Sequence, residues 1–294
     1  MGKISKALEK STNEFSKSGT LREKSGIQQE PPFVAGDSEG KSVQADKGHK
    51  NYFRNKEILN KVSDDVDKSL VSVLNPDSKE AEQFRLLKNN ILFPETGLPP
   101  KSIMVTSSSP NEGKSFVASN LAASIAQSID EYVVLMDCDL RKPTIHKVFG
   151  LPGKDGLSQY LLNQKPLSTM LLKTFINKLT ILPAGPIPRN PSELLSSGHM
   201  RNLIHEMTLR YNDRYIIIDT PPPYITSEAS VISRHVDGII IVIRHGKTRK
   251  KDVADIIEIY GKEKIIGVVQ NFAEKRPGYG YGYYKYGYGY GYGK

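Results

Sequence analysis

Between residues 102 and 271, short apolar runs alternate with helix-like stretches, and this alternation limits what the chain can become. The runs cover 102–107, 132–137, 179–182, 215–219, 238–243 and 265–271. Most are continuously hydrophobic, as strands buried on both faces must be. Between them, helical patterns fall at 116–128, 144–149, 157–162, 199–211, 226–234 and 248–260, and Asn190-Pro191-Ser192 opens a further short helix. Upstream, Asn75-Pro76-Asp77-Ser78 reads as a turn with an N-cap for a helix from Lys79 to Phe93. Ala81, Phe84, Leu87, Ile91 and Leu92 form its apolar side. Strand–helix alternation of this kind predicts one α/β domain over 75–273, with a mostly parallel sheet covered by helices on both faces.

The flanks differ in kind. An apolar fraction of 38% is low for a fully globular chain. Residues 1–74 read as a mostly disordered arm and linker. Within it, Ile4, Ala7, Leu8 and Phe15 give 4–16 the spacing of a short amphipathic helix. Residues 17–55 are polar and contain Pro31-Pro32, and apolar density returns near residue 58. At the other end, 274–294 holds eight of the fifteen tyrosines, Tyr279, Tyr281, Tyr283, Tyr284, Tyr286, Tyr288, Tyr290 and Tyr292, spaced almost entirely by glycine. Glycine offers no packing surface and is costly to order, so this tail is expected to be disordered. Alone, it is compatible with a substrate or with a merely adhesive segment.

Several function classes are disfavoured. The net charge of +9 is not gathered into a dominant block, and only Arg276 adjoins the tyrosines, which argues against a nucleic-acid partner. Cys138 is the single cysteine, so neither an intramolecular disulfide nor a cysteine-cluster metal site can form. That suits a reducing cytoplasm. No run of about 18 apolar residues offers a membrane span, and no signal-peptide core precedes the arm. The opening Met1-Gly2 resembles an acylation signal, but Lys6 stands where Ser or Thr is needed.

The chemistry concentrates at strand ends. Ser108-Ser109-Pro110-Asn111-Glu112-Gly113-Lys114-Ser115 follows a strand and opens a helix that begins with Phe116, the setting a phosphate-binding loop needs. Backbone N–H groups there would cradle phosphate, Lys114 would reach the β- and γ-phosphates, and the Ser115 hydroxyl would ligate Mg²⁺. Ser108 replaces the loop's usual first glycine. Asp219 ends Tyr-Ile-Ile-Ile-Asp in the manner of a carboxylate that holds Mg²⁺. Asp137 and Asp139 end another strand with one residue between them, adding charge to the same crevice. ATP with Mg²⁺ is the implied cofactor. The five histidines from His146 onward share no ligand spacing and read as structural. Tyr132, Tyr160, Tyr211, Tyr215, Tyr224 and Tyr260 read as packing residues.

Gly113-Lys114-Ser115, Asp137-Cys138-Asp139-Leu140-Arg141-Lys142-Pro143 and Asp219-Thr220-Pro221-Pro222 resemble the Walker A, A′ and B motifs of the bacterial tyrosine kinases. These make exopolysaccharide or capsule and end in a tyrosine cluster. The resemblance covers about 78–294 and includes Pro186–Leu195. It implies ATP-dependent autophosphorylation of the tail, with residues 109–116 around the nucleotide. By it, Asp139 and Asp219 hold the metal and Asp137 accepts the tyrosine proton. Glu82, Arg85 and Lys88 are similar to an oligomerisation motif, with Lys88 where arginine is usual. On residue spacing alone they form an intrahelical group. The resemblance further implies a homo-oligomeric ring, a membrane chain-length regulator (a polysaccharide co-polymerase) as activator, and a tyrosine phosphatase as counterpart. Its location would be cytoplasmic, at the inner face of the plasma membrane. A ParA- or MinD-like positioning ATPase is the alternative. Such ATPases usually carry a lysine early in the loop, where this chain has Ser109, and they lack a tyrosine tail.

Overall fold

A computed structural model describes residues 64–210, 214–224 and 228–273. The helix expected over 4–16, the 17–55 linker, Tyr211 and the tyrosine tail lie outside the described residues. The strands are β1 (Ser102–Ser107), β2 (Tyr132–Asp137), β3 (Leu172–Lys173), β4 (Leu179–Leu182), β5 (Arg214–Asp219), β6 (Gly238–Arg244) and β7 (Ile265–Asn271). They form one seven-stranded sheet in the order β3-β4-β2-β5-β1-β6-β7. Every pairing is parallel except β3 with β4. Strand β3 has only two residues, too few for a periodicity to reveal it in the sequence.

Side chains alternate across each inner strand and so feed two separate apolar layers. Ile103, Val105, Val133, Leu135, Tyr215, Ile217, Ile240 and Val242 face one layer. Met104, Val134, Met136, Ile216, Ile218, Ile239 and Ile241 face the other. Burial on both faces is why these strands read as unbroken apolar runs.

The first layer is closed by α1 (Val71–Leu74), α2 (Lys79–Leu92) and α3 (Lys114–Ala126). Ser78 caps α2, its hydroxyl accepting from the Ala81 N–H at 3.1 Å. Val66, Leu70 and Val73 are buried in this layer, so packing begins upstream of the boundary expected at residue 75. The anchor is polar. Asn120 of α3 accepts from the Ser72 N–H at 2.9 Å and donates to the Ser69 carbonyl at 2.9 Å. On the opposite face lie α5 (Leu157–Leu161), α6 (Pro191–Leu195), α7 (Gly198–Arg210), α8 (Glu228–Ser233) and α9 (Lys250–Tyr260), which follow the short α4 (Ile145–Val148).

Two of the tyrosines expected to pack do not. Tyr215 and Tyr260 are buried, but Tyr132, which begins β2, and Tyr224, in the turn after β5, are 42% and 51% exposed. Strand β7 is paired on one side only, and Ile266 and Val268 on one of its faces are exposed. Among the described residues, no helix is long and apolar enough to cross a membrane.

Candidate active site

Strands β1, β2 and β5 are neighbours and parallel, so their carboxyl ends open onto one crevice, where open α/β sheets place ligands. The register puts Asp137 directly opposite Asp219. The loop after β1 reaches α3 through Gly113, whose φ of 92° lies in the left-handed region. A Cβ there would fall 1.9 Å from Asn271 Nδ2, so both conformation and space require glycine. No side chain caps α3, and no acidic residue occupies its first turn. Its N–H groups and positive dipole end are therefore available to an anion.

Four of the predicted residues come together here. Lys114 Nζ lies 3.1 Å from Asp139 Oδ2, and Ser115 Oγ donates to Asp219 Oδ2 at 2.5 Å. Burial pulls the Lys114 ammonium down, but Asp219, Asp139 and Asp137 outweigh it and hold its pKa above the ordinary lysine value. Burial pushes Asp219 up to about 6, against the pull of Lys114 and the Ser115 hydroxyl. Asp137 is buried too. Its Oδ2 accepts from the Thr144 and Ile145 N–H groups at 3.0 and 3.1 Å, and its Oδ1 from the Asp139 N–H at 3.2 Å. Burial first, then the Asp219 charge, raises it to about 8. Cys138 is buried between the two aspartates, and its N–H donates to the Asp219 carbonyl at 2.9 Å.

Asp219 Oδ1 is buried with no hydrogen-bond partner. An acceptor left open beside a serine hydroxyl and a second carboxylate suits a hard divalent cation, which oxygen ligands bind. Among the described residues, no group of three or more His, Cys, Asp or Glu forms a ready metal cage. Magnesium sites built on one or two carboxylates plus substrate phosphates need none.

The ParA family model, described as NUBPL iron-transfer P-loop NTPase, matches residues 100–278. The chain is 37% identical over 208 residues to the tyrosine-protein kinase YwqD of Bacillus subtilis (strain 168), covering 70% of this chain and 86% of that one. Of solved structures, the chimerical protein CapA2B2 superposes with a TM-score of 0.65 at 36% identity, over 71% of this chain and 92% of that one. The kinase domain of the Escherichia coli tyrosine kinase ETK gives 0.63 at 31%, over 72% and 84%. The chain belongs to the bacterial tyrosine kinase family. It is a protein-tyrosine kinase on a P-loop fold.

The kinase also uses residues that sequence reasoning missed or cast differently. The Glu112 side chain turns inward. Its carboxylate accepts from the Ser108 hydroxyl at 3.0 Å, from the Ser109 N–H at 2.9 Å and from the Thr248 hydroxyl. Asn271 Nδ2 donates to the Glu112 carbonyl at 3.1 Å. The β6 and β7 ends thus brace the loop from residues more than a hundred positions away, which no local pattern announces. Asn111 takes a φ of 62° in the loop, and Pro110 lies beside it. The Phe116 ring meets Phe84 of α2 edge to face at 5.5 Å, so its side chain packs and only its backbone remains for phosphate.

Glu82, Arg85 and Lys88 lie on α2. Arg85 pairs with Glu82 at 2.5 Å and donates to the Pro76 carbonyl at 2.7 Å, the intrahelical arrangement that residue spacing predicts. Desolvation, with Arg85 nearby, lowers the Lys88 pKa.

Proposed function

We propose that this kinase transfers the γ-phosphoryl group of ATP to tyrosines of its own C-terminal segment, Tyr279 to Tyr292. The observation that carries the reading is the convergence of Lys114, Ser115, Asp139 and Asp219 at one buried strand-end crevice. Residues 109–116 wrap the phosphates, with Lys114 moving from Asp139 to the β- and γ-oxygens. Ser115, Asp139 and Asp219 would hold Mg²⁺. Bound there, the metal neutralises charge on the phosphate oxygens. Asp137 accepts the tyrosine proton. Three backbone N–H groups fix its position. Phosphoryl transfer depends mainly on positioning and electrostatics, which this crevice supplies.

Delivery of the substrate is a matter of reach. A glycine-rich segment of about 18 residues spans roughly 21–25 Å root-mean-square, enough to enter a neighbouring protomer's site. Transfer in trans within a homo-oligomeric ring, built through Glu82, Arg85 and Lys88, follows from this reading. Each phosphate adds about −1.5 to −2 charges, so repeated phosphorylation makes the tail strongly acidic and loosens the ring. A membrane chain-length regulator activates the kinase at the inner face of the plasma membrane, a tyrosine phosphatase resets it, and the cycle controls exopolysaccharide or capsule synthesis.

Incubation with γ-labelled ATP and Mg²⁺ tests the core of this. Label on the tail tyrosines is the expected result. Free phosphate with no labelled tyrosine would instead favour a positioning ATPase.

A further inference from the structure

Phe272 stands out at the rim of the crevice. It follows β7 with a φ of 57°, a left-handed conformation that a bulky aromatic residue rarely adopts. Its ring is not buried by this arrangement: 52% of the residue is exposed. Local contacts hold the conformation. The Phe272 N–H donates to Asn271 Oδ1 at 2.9 Å, and the ring lies against the Arg244 guanidinium, 4.4 Å from the ring centroid. The position is equally specific. A Cβ placed on Gly113 would meet the edge of the Phe272 ring at 3.6 Å, so the ring sits one van der Waals contact from the residue preceding Lys114. Asn271 ties this corner to the phosphate loop through the Glu112 carbonyl.

We propose that Phe272, backed by Arg244, is the shelf on which the nucleobase of the bound nucleotide stacks. The inference rests on the nucleotide reading of the crevice and adds the element that reading lacks. The carboxylates, lysine and serine address phosphate and metal, and none of them recognises a base. A half-exposed ring beside the phosphate loop offers the flat apolar face that a purine or pyrimidine needs. The guanidinium on the ring fixes its orientation through a cation–π contact. Packing alone does not account for a strained aromatic residue that leaves half its surface in solvent.

The test separates the base from the phosphates. ADP and pyrophosphate, each with Mg²⁺, are titrated calorimetrically into the full chain, into Phe272→Ala and into Phe272→Trp. Stacking predicts that Phe272→Ala weakens ADP about tenfold and shifts pyrophosphate by less than twofold, while Phe272→Trp keeps ADP near the wild-type affinity. Unchanged ADP affinity in Phe272→Ala overturns the shelf and leaves the phosphate site standing. Equal weakening of both ligands also overturns it, by showing that the ring acts through the loop. A wild-type chain that binds neither ligand overturns the nucleotide reading and the shelf together.

Discussion

The carboxyl edge of one sheet carries two different environments. Around β1, β2 and β5 the groups are ionisable and buried: Asp137 and Asp219 are closed off from solvent, and Lys114 is held among carboxylates. Around β6 and β7 the groups are half-exposed: a phenyl ring on a guanidinium, an amide and a threonine hydroxyl. Low dielectric makes each charge in the first region count heavily, which suits the handling of phosphate and metal. The second region works by contact and bracing, where individual contributions are smaller. Division of labour along the edge thus follows burial.

Removing a group from the buried side should have the largest effect. Asp219→Asn is expected to lower the initial rate of tyrosine self-labelling by about 10³-fold with little change in the unfolding midpoint, and Lys114→Met by a similar factor with a lowered midpoint, because it leaves the Asp139 carboxylate without its ammonium partner. A smaller rate loss from either than from Phe272→Ala would break the comparison.

Gly113 sits on the seam between the regions. Gly113→Ala forces a φ of 92° on a residue with a Cβ and drives that atom into the Asn271 amide. A loss of about 1–3 kcal/mol in urea unfolding is expected, together with weakened nucleotide binding.

Asp137 provides a pH test. Its pKa is about 8 in the fold against an ordinary 3.8, so the native state holds the proton more tightly than the unfolded chain. Stability from this group is complete below about pH 4 and is lost as pH rises toward 8. Asp137→Asn removes the titration and can keep the bonds from Thr144 and Ile145. Its Tm relative to wild type should therefore rise by at least about 3 °C between pH 5 and pH 8.5, in protein without nucleotide. A constant difference would show that burial there is less severe than the geometry implies.

The smallest effect belongs to neither region. Glu82→Gln breaks an exposed i,i+3 pair on α2 and should cost about 0.2–0.5 kcal/mol, seen as a slight shift in urea midpoint.

Most of the sheet could be read from the chain because doubly buried strands need unbroken apolar runs. The strands at 102–107, 132–137 and 179–182 fall where that pattern places them. The meeting of Asp219 with Ser115 was legible too, since parallel strand ends converge on one edge. What stayed hidden depends on contacts between distant residues. Nothing near Glu112 points to Thr248 or Asn271, and nothing near Asn120 points to Ser69 and Ser72. Phe272 follows a strand without any periodicity to mark it, and its importance appears only beside Gly113 and Arg244.

Strand β7 has one neighbour, and boundary strands open to solvent more readily than those enclosed by a sheet. Yet this strand ends in the amide that holds the Glu112 carbonyl, so the phosphate loop is moored to an edge of the sheet. Warming the protein should therefore slacken ligand capture well before the core melts. Conversely, a ligand seated on the loop would clamp this edge strand and slow its hydrogen exchange.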